Sequence, residues 1–247
     1  MLEIRIDAAV ATITVNRPER RNAISADLAR QLSAELVAMG NGNQINAVVL
    51  TGALPGFCAG SDLKELAGKT VAEMKDIELA KGALLSTIYA AAPPVIAAVE
   101  GFALGGGFAL AAACDFVVTA SDARWHMPEA QNGWIPPWGL DVLESRVGRH
   151  KARQVVLGLK MSGAEAARFG IADRAVAAGE ALVEAQKLAA EIAVLAPHVI
   201  RTIKRFYGRD TIDLFKRNDE LSAALFEENC RSEPATSTLK KFGVRND

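Results

Sequence analysis

The fold of this chain is decided by the segment VIAAVEGFALGGGFALA, residues 95–111. Its first five residues are apolar and typical of a buried strand, and the glycines at 105–107 open an alanine-rich, helix-like run. Glycine lets the backbone approach a ligand closely, and the N–H groups at the start of a helix carry partial positive charge. The segment therefore predicts a strand-to-helix junction whose backbone can hold an oxyanion.

A second glycine turn lies upstream of the first. Residues 57–64 read FCAGSDLK and follow the apolar, strand-like segment Ala47–Thr51. Two such turns can each supply one N–H donor to a single developing negative charge, which is how enolates and tetrahedral intermediates are stabilised.

Length and composition limit which classes of protein this chain can belong to. The chain has 247 residues, of which 50% are hydrophobic, enough for one or two domains with a sizeable core. A net charge of -1 argues against nucleic acid or an anionic membrane as a partner. The N-terminal residues MLEIRID lack the pattern of a secretory signal, so we expect a cytoplasmic protein.

Two further patterns exclude other readings. Only Glu100 and Asp115 are charged between Ile88 and Val118, but prolines and glycines interrupt this stretch, so it is expected to be core rather than a membrane span. Three cysteines without Cys-x-x-Cys spacing indicate reduced thiols, not a disulfide framework or a zinc site.

A metal site is also disfavoured. His126 precedes Glu129 by three residues, but the chain has only three histidines and no further cluster of metal ligands, so we expect no metal.

Hydrophobic periodicity predicts an α/β protein with a helical C-terminal region. A helix is expected from Ser25 to Met39, with Ser25 as its N-cap. The predicted strands are Leu2–Asp7, Val10–Val15, Ala47–Thr51, Val95–Val99 and Phe116–Thr119. After residue 180 only helical patterns occur, at 180–195, 197–207 and 210–230 and in a last piece before Phe242. We therefore predict an α/β core over residues 1–178 and a helical capping and oligomerisation region over residues 179–247.

Further motifs follow one another along nearly the whole chain. They are Asn16–Pro18, Asn22–Ile24, Phe57–Leu63, Gly101–Gly107, Pro128–Glu129, Val147–Gly148, Gly163–Ala166 and Gly170–Ala172. In this order they resemble the signature of the crotonase superfamily, the enoyl-CoA hydratase/isomerase group. The resemblance implies a spiral of ββα units whose C-terminal helices cap the substrate pocket and build homotrimers or homohexamers. It also implies an acyl-CoA substrate, with coenzyme A as part of the substrate and no separate cofactor.

The resemblance also implies roles for single residues. By position in the motifs, the two oxyanion donors are the N–H groups of Ser61 and Gly106, and Glu129 is the acid/base. The apolar residues around Glu129 favour a raised carboxyl pKa, which suits proton transfer; the alternative is an exposed glutamate at the start of a turn.

The resemblance also implies contacts to coenzyme A from two backbone segments near the N-terminus and from one segment near the C-terminus. The first two run from Arg21 to Ala23 and from Ala59 to Lys64, the latter including Ser61, Asp62 and Leu63, with Lys64 reaching a phosphate. The late segment, which includes Phe226, Lys240 and Lys241, matches the part through which neighbouring subunits contribute to the pocket in similar proteins.

The chain departs from the family's hydratases at Ala109. Hydratases carry a second glutamate at this place, three residues beyond Gly106, and divide the activation of water and the proton transfer between two carboxylates. Moving a double bond from the 3,4 to the 2,3 position needs one base, which removes a proton at C2 and returns it at C4. The pattern therefore favours 3,4- to 2,3-enoyl-CoA isomerisation.

The segment WIPPWG, residues 134–139, leaves other readings open. Similar proteins place a second functional group here, whereas this chain has no acid or nucleophile before Asp141. Trp134 and Trp138 either shape an acyl pocket or are ordinary packing. The alternatives to an isomerase are an atypical hydratase, an acyl-CoA hydrolase or decarboxylase, and a catalytically silent acyl-CoA-binding subunit.

Overall fold

A computed structural model describes residues 1–42, 44–209 and 211–243. The strands formed by these residues are β1 (Leu2–Asp7), β2 (Val10–Val15), β3 (Ala47–Gly52), β4 (Val95–Val99), β5 (Phe102–Leu104), β6 (Phe116–Ala120), β7 (Arg124–His126), β8 (Met161–Ser162) and β9 (Arg174–Val176). The α-helices are α1 (Ala26–Asn41), α2 (Val71–Ala90), α3 (Gly106–Ala113), α4 (Glu129–Asn132), α5 (Leu140–Val147), α6 (Arg149–Val156), α7 (Gly163–Phe169), α8 (Ala181–Ala193), α9 (Pro197–Gly208), α10 (Thr211–Asn229) and α11 (Glu233–Lys240).

Two sheets organise the chain. The larger has the order β1-β2-β3-β4-β6-β9; β1 runs antiparallel to β2, and the other neighbours are parallel. The smaller sheet has the order β5-β7-β8. Its strand β5 lies in the chain between β4 of the larger sheet and the glycine turn that begins α3. This arrangement confirms the predicted α/β class.

The central strands are buried on both faces, which explains why they read as continuous apolar runs. Val48 and Leu50 of β3 belong to the same hydrophobic cluster as Leu28 and Leu32 of α1. Val49, between them, points to the opposite side and joins the cluster formed with α8. The helix α8 therefore shares a core with the sheet, and the domain boundary predicted at residues 178 and 179 stays a prediction.

Most of the expected elements are confirmed to within two residues at each end. The helix α1 begins after Ser25, whose hydroxyl accepts the N–H of Leu28 over 3.2 Å. The C-terminal helices also match, except that the predicted start of one of them, Asp210, lies outside the described residues. The glycine junction is more elaborate than predicted, because β5 intervenes between β4 and α3.

The apolar stretch between Ile88 and Val118 is core, as expected, and forms β4, α3 and β6. Within the described residues, no helix has the length and apolar character needed to cross a membrane. Cys58, Cys114 and Cys230 are buried free thiols.

Candidate active site

The two glycine turns lie directly against each other. The N–H of Leu104 donates to the carbonyl oxygen of Cys58 over 3.0 Å, which joins the end of β5 to the upstream turn. Gly60 has a φ of +96°, and a Cβ there would lie 2.8 Å from the carbonyl oxygen of Leu104 and 3.0 Å from the backbone nitrogen of Gly106. Both the positive φ and the close approach require glycine, because a side chain would push the turns apart.

This contact brings together the two predicted N–H donors. Among the hydrogen bonds of the described residues, neither the N–H of Ser61 nor that of Gly106 has an acceptor. The nitrogen of Ser61 lies 3.5 Å from the point where a Cβ on Gly106 would stand. Gly106 is the first residue of α3, so its N–H also lies at the positive end of a helix. Two unpaired donors side by side can bind one oxyanion.

Glu129 is the first residue of α4 and is only 9% exposed. Its Oε1 lies against the glycine turn, since a Cβ at Gly105 would stand 2.6 Å from it. Its Oε2 is buried and has no hydrogen-bond partner among the described residues. Burial raises the pKa of Glu129 to about 7, and the nearby charge of Glu78 adds to the rise. A carboxyl group with such a pKa can accept and return a proton near neutral pH.

A second buried carboxylate, Glu78 of α2, is present that the sequence analysis missed. Its Oε1 accepts hydrogen bonds from the hydroxyl of Ser61 and from Nζ of Lys81. Its Oε2 accepts the indole N–H of Trp138 over 3.0 Å. Lys81 is fully buried and also pairs with Glu65 over 3.0 Å. Each oxygen of Glu78 thus has a donor, in contrast to Oε2 of Glu129.

The signal for this cluster was present in the sequence but weak. The buried face of α2 includes Val71, Met74, Glu78, Lys81 and Leu85, which follow one another at helical spacing of three or four residues. Two charged residues of opposite sign within an apolar helical stripe indicate a buried ion pair.

The two N–H donors and the two buried glutamates line one cavity of about 80 Å³. Its walls are largely apolar and include Leu63, Leu66, Met74, Met127, Trp134, Pro136, Pro137, Trp138, Phe226 and Leu239, together with Ser61, Glu78, Gly106 and Glu129. Trp134 packs edge-on against Phe226, with ring centroids 6.1 Å apart. Both tryptophans of the segment 134–139 thus face the cavity, and Phe226 does so from α10 of the same chain.

Ala109 is fully buried and is not among the residues that line the cavity. A Cβ on Gly139 would lie 2.8 Å from the Cβ of Ala109. The backbone that follows Trp138 therefore packs against the side of α3 where the family's hydratases carry their second glutamate.

The segments expected to bind coenzyme A are joined to each other. Ile24 donates its N–H to the carbonyl oxygen of Gly60 over 2.7 Å, and Ala59 donates to that of Arg21 over 3.0 Å. The side chain of Asp62 is buried and pairs with Arg17 over 3.1 Å. Arg21 is exposed, with its guanidinium 4.7 Å from the centre of the Phe102 ring.

The other residues expected to contact coenzyme A differ in their burial. Ala23 is buried, and its carbonyl oxygen accepts a hydrogen bond from Arg17. Leu63 lines the cavity, whereas Lys64 and Lys241 are exposed and lie outside its lining.

Neither a reactive thiol nor a cluster of metal ligands adds to this site among the described residues. Burial raises the pKa of the Cys58 thiol to about 12, so it stays protonated. Throughout residues 1–42, 44–209 and 211–243, no three His, Cys, Asp or Glu side chains form a cluster that could hold a metal ion.

The chain is similar in sequence to the enoyl-CoA hydratase/isomerase family and to proteins that carry the name enoyl-CoA hydratase. The sequence profile of the Enoyl-CoA hydratase/isomerase family matches residues 5–244. A probable enoyl-CoA hydratase of Rhizobium meliloti is 39% identical over 194 residues, which are 78% of this chain and 75% of that protein. The short-chain-enoyl-CoA hydratase of Clostridium acetobutylicum is 32% identical over 206 residues, 82% of this chain and 79% of that protein.

Solved structures agree on the fold. An enoyl-CoA hydratase/isomerase from Mycobacterium paratuberculosis superposes with a TM-score of 0.86 at 25% identity and 97% coverage of both chains. OdaA of Pseudomonas aeruginosa superposes with a TM-score of 0.85 at 26% identity and 99% coverage of both chains. The spiral architecture expected from the motifs is thereby confirmed.

Proposed function

The chain belongs to the enoyl-CoA hydratase/isomerase family of the crotonase superfamily, and on that basis we propose that it is an enzyme that converts 3-enoyl-CoA into 2-enoyl-CoA. The thioester carbonyl oxygen accepts hydrogen bonds from the N–H groups of Ser61 and Gly106. Glu129 removes a proton from C2, and the electron pair of that C–H bond forms a dienolate whose negative charge rests on the held oxygen. The same carboxyl group then returns the proton to C4. Substrate and product therefore have the same atoms, and only the double bond has moved.

The observation that carries this proposal is the state of Glu129. It is buried beside the glycine turn, it has a pKa of about 7, and its Oε2 has no donor within the described part of the chain. An oxygen that is not held by a neighbour is free to take a proton. Removal of an α-proton from a thioester also needs the product charge stabilised, and the two unpaired N–H groups supply that stabilisation.

The second carboxylate supports a single base rather than two. Glu78 accepts hydrogen bonds from Ser61, Lys81 and Trp138. Taking up a proton would break at least one of these hydrogen bonds and leave Lys81 less well neutralised, so Glu78 is a poor proton carrier.

A second candidate function is hydration of 2-enoyl-CoA by an atypical site. The names of several relatives favour it. In that reaction Glu129 would activate a water molecule for attack at C3.

Product analysis separates the two reactions. Purified protein is incubated with a 3-enoyl-CoA and separately with a 2-enoyl-CoA, and the products are identified by mass spectrometry and chromatography. The isomerase forms 2-enoyl-CoA from the first and no 3-hydroxyacyl-CoA from the second. Formation of 3-hydroxyacyl-CoA assigns hydration instead, and free coenzyme A assigns hydrolysis. Absence of turnover with retained thioester binding assigns a silent binding subunit.

We further propose that coenzyme A lies along the joined segments 21–23 and 59–64, with Lys64 at a phosphate. Two exposed side chains support this placement: Lys64 follows Leu63, which lines the cavity, and Arg21 is the residue whose carbonyl oxygen accepts the N–H of Ala59. In the same proposal Lys241 acts from a neighbouring subunit. Charge-removing variants of Lys64 and Lys241 are expected to raise KM for the thioester without changing kcat.

Assembly into trimers or hexamers is part of the same proposal. Large apolar side chains of α9 and α10 are exposed on the single chain, including Ile203 (52%), Phe206 (54%) and Leu221 (60%). Such surfaces mark contacts with other chains. Light scattering coupled to gel filtration tests the assembly, and the cytoplasmic location stays a prediction.

A further inference from the structure

Glu78 connects the two sides of the cavity. It belongs to α2, and its two oxygens bind different elements: Oε1 binds the hydroxyl of Ser61 in the glycine turn, and Oε2 binds the indole N–H of Trp138. Lys81, one turn further along α2, bonds to both Glu78 and Ser61. The side chain of Glu78 is therefore fixed from several directions and can hold Trp138 in a single orientation.

Trp138 in turn lies across the oxyanion site. A Cβ on Gly106 would stand 2.4 Å from Cη2 of Trp138, so the six-membered part of the indole is in contact with the first residue of α3. At its other end, a Cβ on Gly82 would stand 2.8 Å from the Cβ of Trp138. The indole is thus packed between α2 and the start of α3, and its N–H bond to Glu78 is the polar contact that fixes its rotation.

The position of Trp138 has a consequence for the substrate. Trp138 forms part of the wall of the cavity, together with Trp134 and Phe226. The space that its indole fills is closed to the acyl chain of a bound thioester, so a fixed indole sets how far that chain can extend.

We propose that Glu78 is a positioning residue that fixes Trp138 across the cavity and thereby limits the enzyme to short acyl groups. This inference rests on the proposed function to the extent that the thioester binds in this cavity. When the bond between Glu78 and Trp138 is lost, the indole can rotate away and longer acyl chains gain room.

A carboxylate is needed because of the number of donors. Ser61, Lys81 and Trp138 all donate to Glu78, whereas a glutamine has one acceptor oxygen. In Glu78→Gln that oxygen stays with Lys81, since a charge-assisted hydrogen bond is stronger than a neutral one. The amide nitrogen then faces the indole N–H, and the hold on Trp138 is lost while the size of the side chain is kept.

The test compares the affinity of two unreactive ligands, butyryl-CoA and octanoyl-CoA, by titration calorimetry. Both carry the same coenzyme A, so the ratio of their dissociation constants reports the acyl part alone. The wild-type protein is expected to bind butyryl-CoA more tightly. Glu78→Gln, which loses the hydrogen bond, and Trp138→Phe, which removes the N–H together with part of the indole, are each expected to shift the ratio about tenfold towards octanoyl-CoA.

Two controls make the result specific. Asp76→Asn removes a charge from an exposed position of the same helix and is expected to leave the ratio unchanged. In the double variant Glu78→Gln/Trp138→Phe, the shift should equal that of Trp138→Phe alone, because Glu78 acts on the cavity only through the indole that this change removes. Circular dichroism establishes that each variant is folded, and if Glu78→Gln does not fold, Glu78→Asp, which draws the carboxylate back from the indole N–H by one methylene group, takes its place.

An unchanged ratio in the folded Glu78→Gln protein would overturn the inference, as would tighter binding of octanoyl-CoA by the wild type. These outcomes differ from failure of the proposed function, in which wild-type protein binds butyryl-CoA but does not isomerise 3-enoyl-CoA. If the wild type binds neither thioester, both are wrong.

Discussion

Glu129 and Glu78 line the same cavity, but of these two only Glu129 has a carboxylate oxygen without a donor among the described residues. The charge of Glu78 contributes, after burial, to the raised pKa of Glu129. In the proposed reaction the two glutamates therefore have different roles: Glu78 orients its neighbours, and Glu129 transfers the proton.

Glu129→Gln is expected to lower kcat for 3-enoyl-CoA isomerisation about 10²- to 10⁴-fold, because the amide cannot accept the C2 proton. The change is nearly isosteric, so the dissociation constant for butyryl-CoA should stay within a few-fold of wild type. Steady-state kinetics and calorimetry check both. Asp122→Asn, at an exposed position, is the matched control. Full turnover in Glu129→Gln would assign the proton transfer to another group.

The pH dependence of kcat/KM should follow the ionisation of Glu129. The base must be deprotonated to act, and its pKa in the free protein is about 7. We expect kcat/KM to rise with pH and to level off above pH 7, whereas an ordinary glutamate would already be fully active at pH 6. Rates measured between pH 5 and 9 decide between the two, and a profile that is flat from pH 5 upward contradicts the assignment.

The same ionisation should appear in the stability of the protein. Glu129 has an ordinary value of 4.5 and a folded pKa of about 7, so between these values the folded state holds a proton that the unfolded state has lost. The free energy of unfolding therefore falls as pH rises through this window, by about 3 kcal/mol in total. The glutamine of Glu129→Gln does not ionise, so this variant does not lose stability in the same way. Its free energy of unfolding relative to wild type should therefore be greater at pH 8 than at pH 4.5.

Urea denaturation of both proteins at the two pH values measures the difference. Equal pH dependence in wild type and Glu129→Gln would mean that Glu129 ionises as freely in the folded protein as in the unfolded one.

Ala109→Glu is not expected to create a hydratase. Ala109 is fully buried, and Gly139 packs closely against its Cβ, so the new side chain has neither room nor a partner for its charge. A cost of about 3 kcal/mol or more in unfolding free energy follows. Ala72→Glu, on an exposed turn of α2, is the control for the same substitution. A stable Ala109→Glu protein that hydrates 2-enoyl-CoA would refute this packing argument.

Gly106→Ala should destabilise the protein through one neighbour. The new Cβ would stand 2.4 Å from Cη2 and 2.7 Å from Cζ2 of Trp138, and both atoms are absent in phenylalanine. We expect a loss of about 1–3 kcal/mol in the wild-type background and a smaller loss in Trp138→Phe. Gly42→Ala, which meets no atom closer than 4.0 Å, serves as a control. Equal losses in the two backgrounds would mean that Trp138 is not the obstacle.

Much of this arrangement could be predicted from the sequence because it depends on local features. The strands β1 to β4 and β6 are short apolar or alternating runs, and Ser25 precedes α1 as a side chain that can cap it. The glycine turns are recognisable because only glycine fits where two backbones approach closely, as at Gly60.

The role of α2 could not be predicted in the same way. Its apolar stripe is interrupted by Glu78 and Lys81, so the helix carries little amphipathic signal. The partners of Glu78, namely Ser61 and Trp138, are 17 and 60 residues away, and only the folded chain brings them together. The short strands β5, β7 and β8 are likewise too short to show a period in the sequence.

The most direct test of the central claim follows one hydrogen atom. A 3-enoyl-CoA labelled with deuterium at C2 is incubated with the enzyme in ordinary water, and the 2-enoyl-CoA formed at the earliest times is analysed by mass spectrometry. A single buried carboxylate that removes the C2 hydrogen and returns it should carry part of the label to C4. Product without deuterium at C4, or 3-hydroxyacyl-CoA in its place, would contradict the one-base isomerase.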